Sequence, residues 1–408
     1  MQYQILVFAL LILGAAYNLA LNIVRYRSAN NPTPENLADV YDAETYAKWK
    51  RYSAENCRVA IIKTICSFVS ELILLCTGAY AAFAGLLPDS KLWQIWGVVL
   101  LTMGVDTVWD IIFRYVDTMV IEQKYGFNRS SVKTFIADCV RSALLNLGLA
   151  LLLTWLIAWL HSALGAYMIV LFAGVMLAFS LVISFLYPLL SRIGNKFVPL
   201  EDGELKDRLV DMLSRHGYKV RAIEVMDASR RTTKSNAYFA GFGKSKTIVL
   251  YDNLINAMTA DEICAIFAHE LGHGLYKDTL KRGVLSFFSM LIMGSVAWLA
   301  VEFTSLHTAF GFAQMNYGFA YILMGIGLGM IQPLVGLATN AYSRYCEFRA
   351  DRQAVAEGYG PALISGLKSL SRADFAHLAP AKINVVLEYS HPPMSQRVEA
   401  IEEAMKNG

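Results

Sequence analysis

The chain has 408 residues, of which 56% are hydrophobic and only 17% charged, against roughly 45–50% and about 25% in soluble globular domains. The excess is gathered into long runs, which argues against a soluble enzyme and for a polytopic membrane protein. A formal net charge of +3 with no long basic block gives no reason to expect a nucleic-acid partner.

A helix crossing a ~30 Å hydrocarbon core needs roughly 20 mostly apolar residues. Seven stretches meet that length: residues 3–23, 64–87, 92–113, 142–161, 166–190, 283–303 and 319–340. The first lacks a basic leader and a clean cleavage site, so it reads as a retained helix rather than a signal peptide. Glu71 lies in the second stretch, and Asp106 and Asp110 interrupt the third. Ionisable groups in such positions face a cavity or a polar partner, for which Asn146 is available. Loops 88–91, 162–165 and 304–318 together hold one basic residue, Lys91. The opposite side receives Arg25, Arg27, Lys48, Lys50, Arg51, Lys124, Arg129 and Lys133, with both long polar segments. This bias puts the N-terminus outside and the C-terminal tail in the cytoplasm.

The expected organisation is therefore a transmembrane region over 1–190, a polar segment over 191–282, two further spans within 283–340 and a C-terminal segment over 341–408. In the first polar segment, residues 204–216 form an amphipathic helix stopped by Gly217, and "YKVRAIEVMD" alternates like a strand. "SNAYFAGFGKSKTIVLYD" reads as a hairpin with turn signals at Gly241, Gly243 and Ser245. Its "GKS" is no phosphate loop, because the glycine required five positions before Gly243 is Tyr238. The six cysteines have no metal or disulfide spacing and read as free thiols. A helix then begins near Asp261, with Thr259 and Glu262 spaced as a capping box.

That helix carries "FAHELGHGLYKD", residues 267–278. Four residues apart, His269 and His273 project from one helical face and share one Zn²⁺. Glu270, beside the first ligand, acts as general base on a water whose pKa zinc lowers toward ~7. The bland alternative is an amphipathic helix with two solvated histidines. A third ligand has to come from elsewhere, and "NAYSRYCEFRADRQA" offers Glu347 and Asp351, again four apart. Glu347 completes a His₂Glu set with an open fourth position. Asp351 accepts a hydrogen bond from a ligand imidazole. Alone this pair reads as a solvated helix face; beside His-Glu-x-x-His, and just after a span, it is specific.

"AHELGHG" followed two spans later by "SRYCEFRAD" resembles the integral-membrane zinc metalloproteases that include the type I CAAX prenyl proteases. The loop "EQKYGFNRSSVKTFIAD" (122–138), the element "HPPMSQR" (391–397) and the hairpin sequence match that family as well. The resemblance implies an α-helical polytopic membrane protein in which seven transmembrane helices enclose a water-filled chamber. A cytoplasmic gluzincin-like zinc protease domain, made of helices and a small β-hairpin or sheet, accompanies them. It makes His269, His273 and Glu347 the zinc ligands, Glu270 the base, and Asp351 the support behind a histidine. His391 and Arg397 would steady the oxyanion, and Asn236 and Ala237 would begin the strand on which substrate pairs. The implied partners are one Zn²⁺, the lipid bilayer and a peptide or protein substrate, prenylated or similarly amphipathic. The ending "EEAMKNG" has no dilysine retrieval signal, which favours a bacterial inner membrane over the endoplasmic reticulum. Two alternatives remain at this stage. One is a membrane-protein quality-control protease, whose relatives have four spans. The other is a transporter or receptor with a coincidental motif.

Overall fold

The structure is a computed structural model describing residues 1–128, 130–192, 195–230, 237–240 and 245–407. The apolar stretches are helical: α1 (Gln2–Ser28), α2 (Ala43–Cys76), α3 (Lys91–Tyr115), α4 (Val132–Leu164) and α5 (Met168–Leu190). The first polar segment follows as β1 (Phe197–Pro199), α6 (Glu204–Arg215), β2 (Lys219–Met226), β3 (Ala237–Ala240), β4 (Ser245–Tyr251) and α7 (Ala260–Leu275). Then come α8 (Asp278–Glu302), α9 (Tyr317–Ala356), α10 (Gly360–Ala373), α11 (Lys382–Glu388) and α12 (Met394–Asn407).

Six of the helical runs described are long and apolar enough to cross a membrane, one fewer than the seven expected. The difference lies in α4 and α5. Only the short 3₁₀ turn Gly165–Tyr167 separates them, so they count as one run, Val132–Ile183, of 52 residues. Gly165 makes that turn at φ +54, a backbone setting that glycine adopts without steric cost. The second expected span is also displaced: α2 starts at Ala43 and ends at Cys76, and Gly78 at φ +65 precedes a separate helix, Ala79–Gly85.

The chain divides into two compact units. The first comprises Met1–Ala29, Lys50–Leu177 and Ser286–Gly336. Tyr80, Val98, Leu160, Phe172 and Phe319 fill its interior. Its exterior is apolar too: Ile5, Ile12, Leu13, Ile73, Val108, Leu144, Leu145, Leu152 and Val170 are all exposed. Apolar surface on that scale belongs against lipid, where helices satisfy every backbone hydrogen bond internally. Asp106 and Asp110 line a cavity of about 410 Å³ together with Lys63 and Asn146. Lys63 Nζ lies 2.7 Å from Asp110. Glu71 instead accepts a hydrogen bond from the Tyr80 hydroxyl at 2.8 Å.

The second unit comprises Asn30–Trp49, Ala178–Leu285 and Leu337–Gly408. Its sheet has the order β1-β2-β4-β3: β2 and β4 are parallel, while β1 on β2 and β3 on β4 are antiparallel. The expected hairpin is thus present as β3 and β4, with Ala237 opposite Leu250. Its turn glycines, Gly241 and Gly243, and Asn236 lie outside the described residues. Leu209, Met212 and Leu213 of α6 pack with Ile248 and Leu250 of β4 and with Ile263, Phe267 and Leu271 of α7. Residues 30–49 join this unit, although the expected division kept them with the first spans. Leu37 and Val40 are buried against Leu378 and Val398, and the Tyr41 hydroxyl donates to the Ser371 carbonyl at 2.9 Å.

Candidate metal centre

Helix α7 begins as its sequence anticipates. Thr259 Oγ1 accepts from the Glu262 amide at 3.3 Å, and the Glu262 carboxylate accepts from the Thr259 amide at 2.9 Å. The reciprocal pair satisfies two of the amides that a helix start leaves open. Ile263, Phe267 and Leu271 anchor the helix in the core, which turns His269 and His273 toward α9. The two helices approach closely at Gly272, where a Cβ would come to 3.0 Å from Ala350 Cα.

The polar half of α9 supplies Glu347 and Asp351, which are 3% and 1% exposed. Two buried carboxylates of this kind require charge partners. His269 Nε2 lies 3.4 Å from one Glu347 oxygen and His273 Nε2 lies 3.4 Å from the other. The ligand atoms of the three residues are all within 4.8 Å of one another. Each imidazole donates its Nδ1–H to a further carboxylate, His269 to Asp351 and His273 to Asp278, both at 2.9 Å. Those bonds commit Nδ1 as a donor and leave Nε2 facing Glu347. Two imidazole nitrogens and one carboxylate, held this way, suit a divalent metal with an open position. In the metal-free site, burial opposes charge on His269, but Asp351 and Glu347 outweigh it and push the imidazole up to about 9.

Behind each carboxylate stands a guanidinium. Arg397 grips Asp351 through Nε at 2.9 Å and Nη2 at 2.6 Å. Burial works against the Arg397 charge, and Asp351, Glu347 and Glu270 more than offset that effect. Arg349 bonds Asp278 through Nη2 and lies over the Tyr276 ring, 4.2 Å from its centre. Around Glu347 stand His391 Nε2 at 3.5 Å, Arg282 Nη2 at 3.6 Å and Arg397 Nη1 at 4.0 Å. His391 is exposed, and its Nδ1 lies 3.0 Å from the Ser390 hydroxyl.

His269, His273, Glu347, Asp351, His391 and Arg397 thus converge, and Glu270 follows His269 on the same helix. Ala237 lies at the start of β3, the terminal strand of the sheet, and β3 packs against α7. Asp278, Arg349 and Arg282 are not singled out by the sequence. Asp278 reaches His273 because Lys277 takes the left-handed conformation, φ +56, between α7 and α8. The only sequence signal available is the pairing of a motif histidine with an acid just past the helix end.

Residues 22–192 match the model of the CAAX prenyl protease N-terminal region with five membrane helices, and residues 199–405 match the model of peptidase family M48. The chain is an M48 peptidase. It is 30% identical over 394 residues to a CAAX prenyl protease 1 homolog of Arabidopsis thaliana, covering 90% of each protein. To the Homo sapiens CAAX prenyl protease 1 homolog it is 23% identical over 426 residues, covering 92% of this chain and 90% of the relative. The crystal structure of S. mikatae Ste24p has the same fold, with a TM-score of 0.86 at 24% identity over 98% of this chain and 99% of that one. Family membership and the apolar helices together make this M48 peptidase a multi-pass integral-membrane metalloendopeptidase.

Proposed function

We propose that the protein is a zinc endopeptidase that cleaves near the C-terminus of prenylated CAAX-type or similarly amphipathic peptides. The observation that carries this reading is the convergence of His269, His273 and Glu347 within 4.8 Å, with both Nδ1 atoms committed elsewhere. The names of the relatives point to the CAAX substrate class. Zinc held by those three residues supplies Lewis-acid chemistry, acidifying water and polarising a carbonyl.

The protein's own groups do the rest. Glu270 takes a proton from the attacking water and returns it to the leaving amine nitrogen. His391 and Arg397 donate toward the charge that develops on the carbonyl oxygen. Asp351, held by Arg397, keeps His269 in its working tautomer. Asn236 and Ala237 begin the segment that receives the peptide as an added strand; the position of β3 at the end of the sheet order supports this. Divisions at residues 190, 282 and 340 separate spans from polar segments in this reading. In this reading the membrane is a bacterial inner membrane; the lysine and arginine distribution supports the orientation, with the site facing the cytoplasm and the N-terminus outside.

The test compares wild type with Glu270→Ala on matched farnesylated and unprenylated CAAX peptides, with cleavage sites mapped by mass spectrometry. Wild type is expected to cut near the C-terminus and to carry one zinc per chain. Glu270→Ala is expected to keep the zinc and to lose cleavage by at least about 10²-fold, the usual scale of general-base catalysis. Equal cleavage by the two proteins would refute the assignment.

A further inference from the structure

Arg282, in the opening turns of α8, is used by nothing described above. Its Nη2 stands 3.6 Å from Glu347 Oε1. Yet Nε and Nη2 are both buried and have no hydrogen-bond partner among the described residues. The side chain as a whole remains 42% exposed, through atoms other than those two nitrogens. Buried charged donors without a protein acceptor are costly, and where native proteins keep them an ordered water, an ion or a reacting group commonly meets them. The neighbouring guanidiniums differ. Arg397 spends Nε and Nη2 on Asp351, and Arg349 is occupied by Asp278 and the Tyr276 ring. Arg349 Nε likewise lacks an acceptor among the described residues, but it is Arg282 that stands 3.6 Å from Glu347 with two such nitrogens.

Two oxygen-bearing groups of a peptide substrate would suit such donors: its terminal carboxylate and its scissile carbonyl. Distance separates them. In a CAAX-type substrate the terminal carboxylate lies three residues beyond the bond to be cut, roughly 10 Å at ~3.3 Å per extended residue. A guanidinium 3.6 Å from a residue of the ligand set is too near for that role and right for the reacting carbonyl. We propose that Arg282 is a catalytic residue that hydrogen-bonds the oxyanion formed from the scissile carbonyl; the inference rests on the peptidase reading above. As the water oxygen bonds to the carbonyl carbon, one water proton passes to Glu270. The carbonyl π pair moves onto oxygen, where Arg282 meets it beside His391 and Arg397. When that pair returns, the C–N bond breaks and Glu270 delivers its proton to the departing nitrogen. The remaining hydroxyl proton is lost as the new acid ionises.

The experiment uses the full-length, zinc-loaded protein and the variants Arg282→Ala, Arg282→Gln and Arg282→Lys. For each, zinc per chain, kcat and KM on a CAAX peptide, and the Ki of a phosphinic peptide that mimics the tetrahedral oxyanion are measured. Arg282→Ala is expected to lower kcat by about 10²–10³-fold, as loss of one oxyanion donor does elsewhere. KM should move only a few-fold, zinc should be retained, and the phosphinic Ki should weaken in step with kcat/KM. Arg282→Lys should recover part of both. An unchanged kcat, a rate loss that tracks zinc loss, or a rate loss with unchanged phosphinic affinity would each overturn the proposal. A wild-type protein that leaves every such peptide intact would remove the peptidase reading, and Arg282's role with it.

Discussion

The histidines of the motif are each gripped from behind by a different acid, one anticipated and one not. Asp351 is recognisable because Glu-x-x-x-Asp puts it one helical turn beyond Glu347, on the same face. Asp278 is invisible to that reasoning. It sits past the end of α7, and its reach to His273 depends on the left-handed turn at Lys277, which no local pattern announces. Its bond to His273 at 2.9 Å and its 2% exposure nonetheless match what Asp351 does for His269. Asp278→Asn should therefore weaken zinc binding by about 10–100-fold, the usual effect of losing a carboxylate behind a ligand histidine. Competition with a chelator of known affinity measures this directly. An unchanged zinc affinity would refute the supporting role of Asp278 behind His273.

Among the elements, α7 and α9 matter most, because their separation sets the distance from His269 and His273 to Glu347. Gly272 permits that separation: an added Cβ would meet Ala350 Cα at 3.0 Å and Gln353 Cβ at 3.1 Å. Gly274, on the same helix, would meet nothing closer than the Tyr218 hydroxyl at 3.5 Å. Both substitutions by alanine gain about the same helix propensity, up to ~1 kcal/mol, so packing decides between them. Gly272→Ala should destabilise by about 1–3 kcal/mol through overpacking and release zinc. Gly274→Ala should be neutral or stabilising. Thermal unfolding with parallel zinc analysis distinguishes the two. The element types are largely legible in the sequence: the capping box, the α6 periodicity and the alternating β2 all stand as read. The break between α4 and α5 falls at Gly165–Tyr167, beside the expected loop 162–165, whereas the start of α2 at Ala43 is not legible, because its first turns are charged and carry no apolar run.

In the molecule as a whole, the proposed ligands come from two stretches of chain separated by α8 and most of α9, and a metal held by them would tie those stretches together. A ligand bound only by the folded state stabilises it by about 4 kcal/mol at 1,000 times its dissociation constant. Chelation should accordingly lower the melting temperature of the whole protein, and zinc should restore it where magnesium does not. A transition unmoved by chelation would mean that the ion pairs alone hold α7 and α9 in register. The apolar spans are readable from length and hydropathy. The attachment of residues 30–49 to the second unit is not, since it rests on Leu37, Val40 and Tyr41 meeting side chains and carbonyls more than 300 positions away. The order of the ligands along the chain also bears on how the enzyme is made. A ribosome releases both histidines and Glu270 well before Glu347, and the apolar lengths of α8 and α9 emerge in between. Until those lengths have been synthesised, the nascent chain has two ligands and no third. On the proposed ligand set, hydrolytic competence would be withheld during translation, and a truncated product that ends before Glu347 would be born inert.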